Sequence, residues 1–209
     1  MKLASVVTIL LLHGGGFNGG DPSTVAPIAK DLRDDGYRVI VVPYRDRNPT
    51  GNVLGEIDTV KDYADNARLR GPVVAYGVSS GATLAAALAS RGEVDGAVVA
   101  GGPTNLVTWF SLDGYFASQR YWNQLGMSRE DRRNASPYYR IGGRQTPQLM
   151  LYGDIDPLVN VEQGISYARA ARRGQADTTL KVMTLSPHTY SERFRRMARA
   201  WITQRWPPR

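Results

Sequence analysis

Six short apolar runs rich in β-branched residues punctuate the chain, at 6–12 (VVTILLL), 37–44 (YRVIVVPY), 71–77 (GPVVAYG), 94–102 (VDGAVVAGG), 146–153 (TPQLMLYG) and 179–185 (TLKVMTL). Each is apolar on consecutive positions rather than on every second one. That pattern predicts parallel strands covered on both faces. The polar-apolar spacers at 23–35, 55–68, 80–91, 161–173 and 190–205 carry helical periodicity. The first opens at Ser23, a residue suited to an N-cap, and stops at Gly36. Strand and helix therefore alternate, which predicts one doubly wound α/β domain over 1–209.

One spacer breaks the rhythm. Residues 103–146 join the fourth and fifth runs and hold eight of the chain's 19 aromatic residues: Trp109, Phe110, Tyr115, Phe116, Tyr121, Trp122, Tyr138 and Tyr139. A connection of that length has structure or function of its own. Two readings stand together, a helical insertion with an aromatic core and a lid over a substrate pocket.

The third run ends in YGVSSGA and passes into a helical spacer, so Gly77-Val78-Ser79-Ser80-Gly81 matches G-x-S-x-G between a strand and a helix. At such an elbow the serine sits on a strained turn, and its neighbours must be small because strand and helix nearly touch. A serine needs a base to act as a nucleophile near neutral pH. The chain has two histidines, and His188 lies in the loop after the sixth run, at the same end of the sheet as Ser79. The base needs a carboxylate behind it. The loop after the fifth run offers Asp154 and Asp156, and Asp156 reaches farther toward His188. The predicted catalytic set is Ser79, His188 and Asp156, with turn capping as the other role for Asp154.

Attack on a carbonyl creates an oxyanion that backbone N–H groups can hold. Ser80 supplies one as the first residue of a helix. The first run ends in His13-Gly14-Gly15-Gly16-Phe17, a bare loop that an adjacent first strand would bring beside Ser79. Gly15 and Gly16 are the expected donors, with Gly14 as an alternative, and His13 braces the loop. Phe17, Trp109, Phe110 and Tyr115 are the expected substrate contacts. The loop also matches G-x-G-x-x-G at 14–19, with Asp46 after the second run, as a dinucleotide site begins. That reading leaves the Ser–His–Asp set unexplained.

Together HGGGF, GVSSG, LYGDIDPLV and SPH, in that order, resemble the α/β-hydrolase superfamily, and within it the HGGG-type carboxylesterases, lipases and kynurenine-formamidase-like enzymes. PYR at 43–45 and the run from SPYYR into LYGDIDPLV are similar to those enzymes as well. The resemblance implies a minimal fold lacking two leading edge strands, with strand order 2-1-3-4-5-6. It also implies a serine esterase for small-to-medium carboxylic esters without metal or cofactor. Amide, aryl formamide or thioester cleavage, acyl transfer or cyclisation, and ligand binding without turnover use the same scaffold. The elbow reads VSSGA rather than the DSAGG common in HGGG lipases.

Charge alters the picture only at the C-terminus. The formal net charge is +7, and residues 160–209 hold 10 basic against 3 acidic side chains, while 1–159 balance at 16 each. In ERFRRMARAWITQRW, Tyr190, Phe194, Met197 and Trp201 share one helical face and the arginines take the others. The expectation is a solvated outer face, with an acidic partner as the alternative. No recognition module accompanies the charge, so nucleic acid is not an expected partner. No run reaches the ~18 apolar residues of a membrane helix. The opening run lacks a small-residue cleavage site, which favours a strand over a secretory signal and a cytoplasmic location. The second strand would be a bare sheet edge, suited to pairing with a second copy.

Overall fold

The computed structural model describes residues 6–45, 52–142 and 146–208. Its strands are β1 (Thr8–Leu12), β2 (Arg38–Val41), β3 (Val73–Val78), β4 (Gly96–Ala100), β5 (Gln148–Gly153) and β6 (Thr178–Met183). Its α-helices are α1 (Ala26–Asp34), α2 (Val53–Arg68), α3 (Ser80–Ser90), α4 (Gln119–Gln124), α5 (Arg129–Ala135), α6 (Glu162–Arg173) and α7 (Glu192–Arg205). The six strands form one sheet in the order β2-β1-β3-β4-β5-β6, and every pair is parallel.

Successive strand residues feed two separate cores, as the pleat requires. Leu10, Leu12, Ala75 and Val99 face α2, α3 and α6. Ile9, Leu11, Val74, Tyr76 and Val98 face α1 and α7. The double cover accounts for apolar runs without alternation in β1, β3, β4 and β5, which are buried throughout. The two edge strands depart from that expectation. All four residues of β2 are half-buried, and Lys181 and Val182 of β6 are exposed, because each edge strand has a neighbour on one side only.

Helix ends were less legible than helix existence. Ser23 does not cap a helix running from 23 to 35. Asp21 accepts the Ser23 N–H at 2.7 Å and caps a single 3-10 turn, Pro22–Val25, after which α1 begins. Helix α3 has all eleven residues buried, so it has no polar face and sits wedged between the sheet and its neighbours. Helix α7 lays Phe194, Ala198, Trp201 and Ile202 on the sheet. Its arginines reach back into the molecule, Arg195 to Asp31 at 3.1 Å, Arg199 to Asp35 at 2.6 Å and Arg205 to Asp177 at 2.9 Å.

The long β4–β5 connection contains α4, α5 and a 3-10 turn at Pro137–Arg140. Tyr121 and Trp122 are fully buried in the core beneath it. Among the described residues no helix is long and apolar enough to cross a membrane.

Leu10 is fully buried on β1, an inner strand between β2 and β3. Replacing it with Ala should cost about 2–5 kcal/mol through lost transfer energy and an unfilled cavity. Chemical denaturation should then show a lower midpoint at an unchanged slope; an unaltered midpoint would contradict the packing described.

Candidate active site

Neighbouring strands β1 and β3 run in register, with Leu12 opposite Gly77. The loops that follow them are therefore forced together. Past Val78 the chain turns at Ser79, whose φ of 52° and ψ of −124° lie where a side chain is strained. The turn closes only because its flanks lack side chains. A Cβ on Gly77 would lie 2.1 Å from the Gly81 carbonyl oxygen, and one on Gly81 would lie 2.4 Å from the carbonyl oxygens of Leu12 and His13. The Ser79 N–H is tied to the Ala100 carbonyl at 2.9 Å. Its hydroxyl is left above the sheet, next to the open N-terminus of α3.

Three loops bring the predicted side chains into one line. His188 Nε2 lies 3.0 Å from Ser79 Oγ, and its Nδ1 lies 2.6 Å from Asp156 Oδ2. A carboxylate only accepts, so Nδ1 carries the hydrogen and Nε2 turns a lone pair toward the serine. The other oxygen of Asp156 accepts the N–H groups of Leu158 and Val159 at 2.9 and 2.8 Å. Its side chain is 2% exposed. Asp154 accepts the Ser186 N–H at 3.2 Å and joins the loops after β5 and β6. A Cβ on Gly153 would lie 2.0 Å from the Ser186 carbonyl oxygen, so these loops pack backbone on backbone.

The glycine loop lies against the serine. A Cβ on Gly14 would lie 3.0 Å from Ser79 Cβ. Gly15 and Gly16 take φ of 143° and 64°, the region that favours glycine. His13 is buried beneath, stacked on Tyr44 with ring centroids 4.5 Å apart. The Tyr44 hydroxyl donates to the His13 carbonyl at 2.6 Å.

Above Ser79 opens a cleft of about 430 Å³, lined by the glycine loop, Phe17, Trp109, Phe116, Leu158, Val159, His188 and Tyr190 among others. Phe17 and Trp109 thus stand at the cleft, whereas Phe110 and Tyr115 do not line it. The Trp109 indole N–H donates to the Leu158 carbonyl at 2.8 Å and fixes that ring inward. Phe110, next in the chain, lines a separate depression with Asn105 and Tyr138. Asp113 caps the following turn through the N–H groups of Tyr115 and Phe116. Phe116 stacks on Trp109, while Tyr115 bonds outward to Gln124.

Two features escaped the sequence. Tyr190 does not belong to the apolar stripe of α7, which starts two residues later. Its hydroxyl lies 3.0 Å from His188 Nε2, and burial holds the phenol well above the usual tyrosine range. The second is a buried carboxyl group held against a guanidinium. Glu56 on α2 is fully buried and accepts from Arg45 at 2.6 Å. Burial pushes its carboxyl up to about 8 against the pull of Arg45. Asp46, required by the dinucleotide reading, lies outside the described residues.

The alpha/beta hydrolase family model matches residues 9–208. The chain belongs to the alpha/beta hydrolase family. Among solved structures it is similar to a thermophilic esterase from the planctomycete Thermogutta terrifontis. The native form matches at 19% identity and a TM-score of 0.73, covering 100% of this chain and 85% of that one. The propionate-bound form matches at 19% identity with a TM-score of 0.75 and coverage of 100% and 87%. The form phosphonylated by sarin matches at 17% identity with a TM-score of 0.76 and the same coverage. These likenesses establish a shared hydrolase fold. No curated protein matches the sequence.

The raised Glu56 carboxyl has a consequence for stability. Between about 4.5 and 8 the unfolded chain ionises this group while the folded protein keeps it protonated. The folded state binds the extra proton, so this group's contribution falls as pH rises through that window. Urea midpoints should drop from pH 5.5 to 8.5 in the wild type and drop less in Glu56→Gln. An equal decline in both proteins would show that Glu56 does not titrate this way.

Proposed function

We propose that the protein is a serine hydrolase acting on small-to-medium carboxylic esters. The observation that carries this reading is the continuous hydrogen-bonded line Ser79–His188–Asp156 at the floor of an apolar cleft. Ser79 Oγ attacks the carbonyl carbon and His188 Nε2 takes its proton. Asp156 holds the imidazole in the required tautomer and stabilises its charged form. The N–H of Ser80, unpaired at the first turn of α3, and those of Gly15 and Gly16 hold the oxyanion. The imidazolium then returns the proton to the leaving oxygen. Water, activated by the same nitrogen, releases the acid from the acyl-serine.

The walls favour an uncharged, apolar acyl group. Phe17, Trp109, Phe116, Leu158 and Val159 provide hydrocarbon surface, and among the described residues no lysine or arginine lines the cleft. Asp21 is the lining carboxylate, exposed at the mouth. A substrate carrying its own carboxylate would meet no counter-charge there. The esterase identity of the structural relatives points the same way.

Fluorophosphonate should label Ser79 in the folded protein. Ser79→Ala should lose roughly 10⁴-fold or more in turnover of p-nitrophenyl esters with its denaturation midpoint nearly unchanged. Across a chain-length series, kcat/KM should fall once the acyl group outgrows the cleft. A Ser79→Ala enzyme that keeps most of its activity would end this proposal.

A further inference from the structure

Resting on that reading, we propose that Tyr190 is a further catalytic residue, whose hydroxyl donates a hydrogen bond to the leaving-group oxygen. In the resting site two hydroxyls, those of Ser79 and Tyr190, each lie 3.0 Å from the same imidazole nitrogen. A neutral imidazole whose Nδ1 carries hydrogen has one lone pair on Nε2. It accepts one of these hydroxyls in line and leaves the second hydrogen to be placed elsewhere.

During ester cleavage Nε2 serves two oxygens in turn. It removes the proton from Ser79 Oγ and delivers it to the oxygen that departs from carbon. Both oxygens must come within hydrogen-bond reach of Nε2. The Tyr190 hydroxyl already stands within that reach, on the wall of the cleft that holds Ser79 and that the departing oxygen enters. A substrate oxygen arriving there meets an O–H donor that was partnered by the machinery itself.

The chemistry of the phenol suits a donor. Burial holds it above the ordinary tyrosine range, so it stays protonated and uncharged at working pH. Its ring packs edge-on to His188, with centroids 5.6 Å apart and planes at 74°, and joins the core beneath α7. The hydroxyl is therefore held in place before substrate binds. The accounting of the step is simple. The bond between the carbonyl carbon and the leaving oxygen breaks, and its electron pair stays on that oxygen. The proton on Nε2 moves to that oxygen. The Tyr190 proton remains on Tyr190 and stabilises the negative charge while it builds up.

That role makes a selective demand. p-Nitrophenolate departs as a stable anion and gains little from a donor, whereas an alkoxide cannot depart without one. Esters of one short acid with p-nitrophenol, phenol, trifluoroethanol and ethanol should be compared in wild type and Tyr190→Phe, which keeps the ring and removes the oxygen. With the phenol hydrogen bond gone, kcat/KM for the ethyl ester should fall by about tenfold or more, a loss of the size expected for a bond to a charged acceptor. The p-nitrophenyl ester should lose at least about fivefold less than the ethyl ester, because its departure needs no such bond. The ratio of the two esters is read on one enzyme sample, so the fraction of folded protein cancels. An equal fall for all four esters would make Tyr190 a support for His188 alone and overturn the proposal. A uniform rise would make it a competitor for Nε2, and an unchanged ratio would also overturn it. If the wild type turns over none of the esters, or Ser79→Ala turns them over equally well, the esterase reading itself has failed and the proposal falls with it.

Discussion

The site depends on a close approach of bare backbone at the boundary between β1 and β3. Gly81 sits against the carbonyl oxygens of Leu12 and His13, and Gly77 against that of Gly81. A methyl group at either position would push the first turn of α3 away from the strand beside it. The strained Ser79 backbone persists because these contacts over-determine it. Parallel pairing of β1 with β3 then brings the glycine loop alongside without further ordering. The entropy of positioning the proposed nucleophile and its proposed oxyanion donors is met during folding rather than at the moment of reaction.

The same logic governs Asp156 and His188. Two parallel strands, β5 and β6, end side by side, and the loops after them are joined backbone to backbone at Gly153 and Ser186. Asp154 adds a bond between them. His188 thus stands on a framework braced by Asp154 while Asp156 addresses its ring. The two aspartates of LYGDIDPLV have separate jobs because alternate residues of a tight loop point in different directions.

Most of the architecture was written in the sequence because it follows from short-range rules. Apolar runs and helical spacers located six strands and five of the seven helices. The two short helices α4 and α5 were hidden inside an aromatic-rich connection whose periodicity is too brief to read. The order of the sheet came from resemblance, since no local rule dictates which strands neighbour one another. Ser79, Asp156 and His188 were legible because an elbow motif and a scarcity of histidines left few choices. Side-chain direction was not. Trp109 turns into the cleft and Phe110 away from it through a hydrogen bond to Leu158, forty-nine residues distant. Tyr190 kept the spacing of the α7 stripe, so it read as core; only the helix start at Glu192 frees it to face His188. Buried Glu56 gave no signal, because a glutamate on an amphipathic helix reads as solvent-facing.

Asp156 links two properties that are usually discussed apart. One of its oxygens addresses His188, while the other gathers the N–H groups of Leu158 and Val159. Those residues form part of the cleft wall, and the Leu158 carbonyl anchors Trp109, which forms another part. The carboxylate proposed to orient the base therefore also sets the shape of the pocket through three hydrogen bonds. Removing its charge would loosen the wall along with the imidazole. His188 itself lines the cleft, so a change of pocket shape reaches the imidazole directly as well as through a carboxylate held on both oxygens and nearly excluded from water. In such surroundings each of these bonds is stronger than in solvent and more costly to leave unmade. The cleft can vary at Phe17 and Phe116, which take no part in those bonds, while Leu158 and Val159 are tied to Asp156 by their backbone.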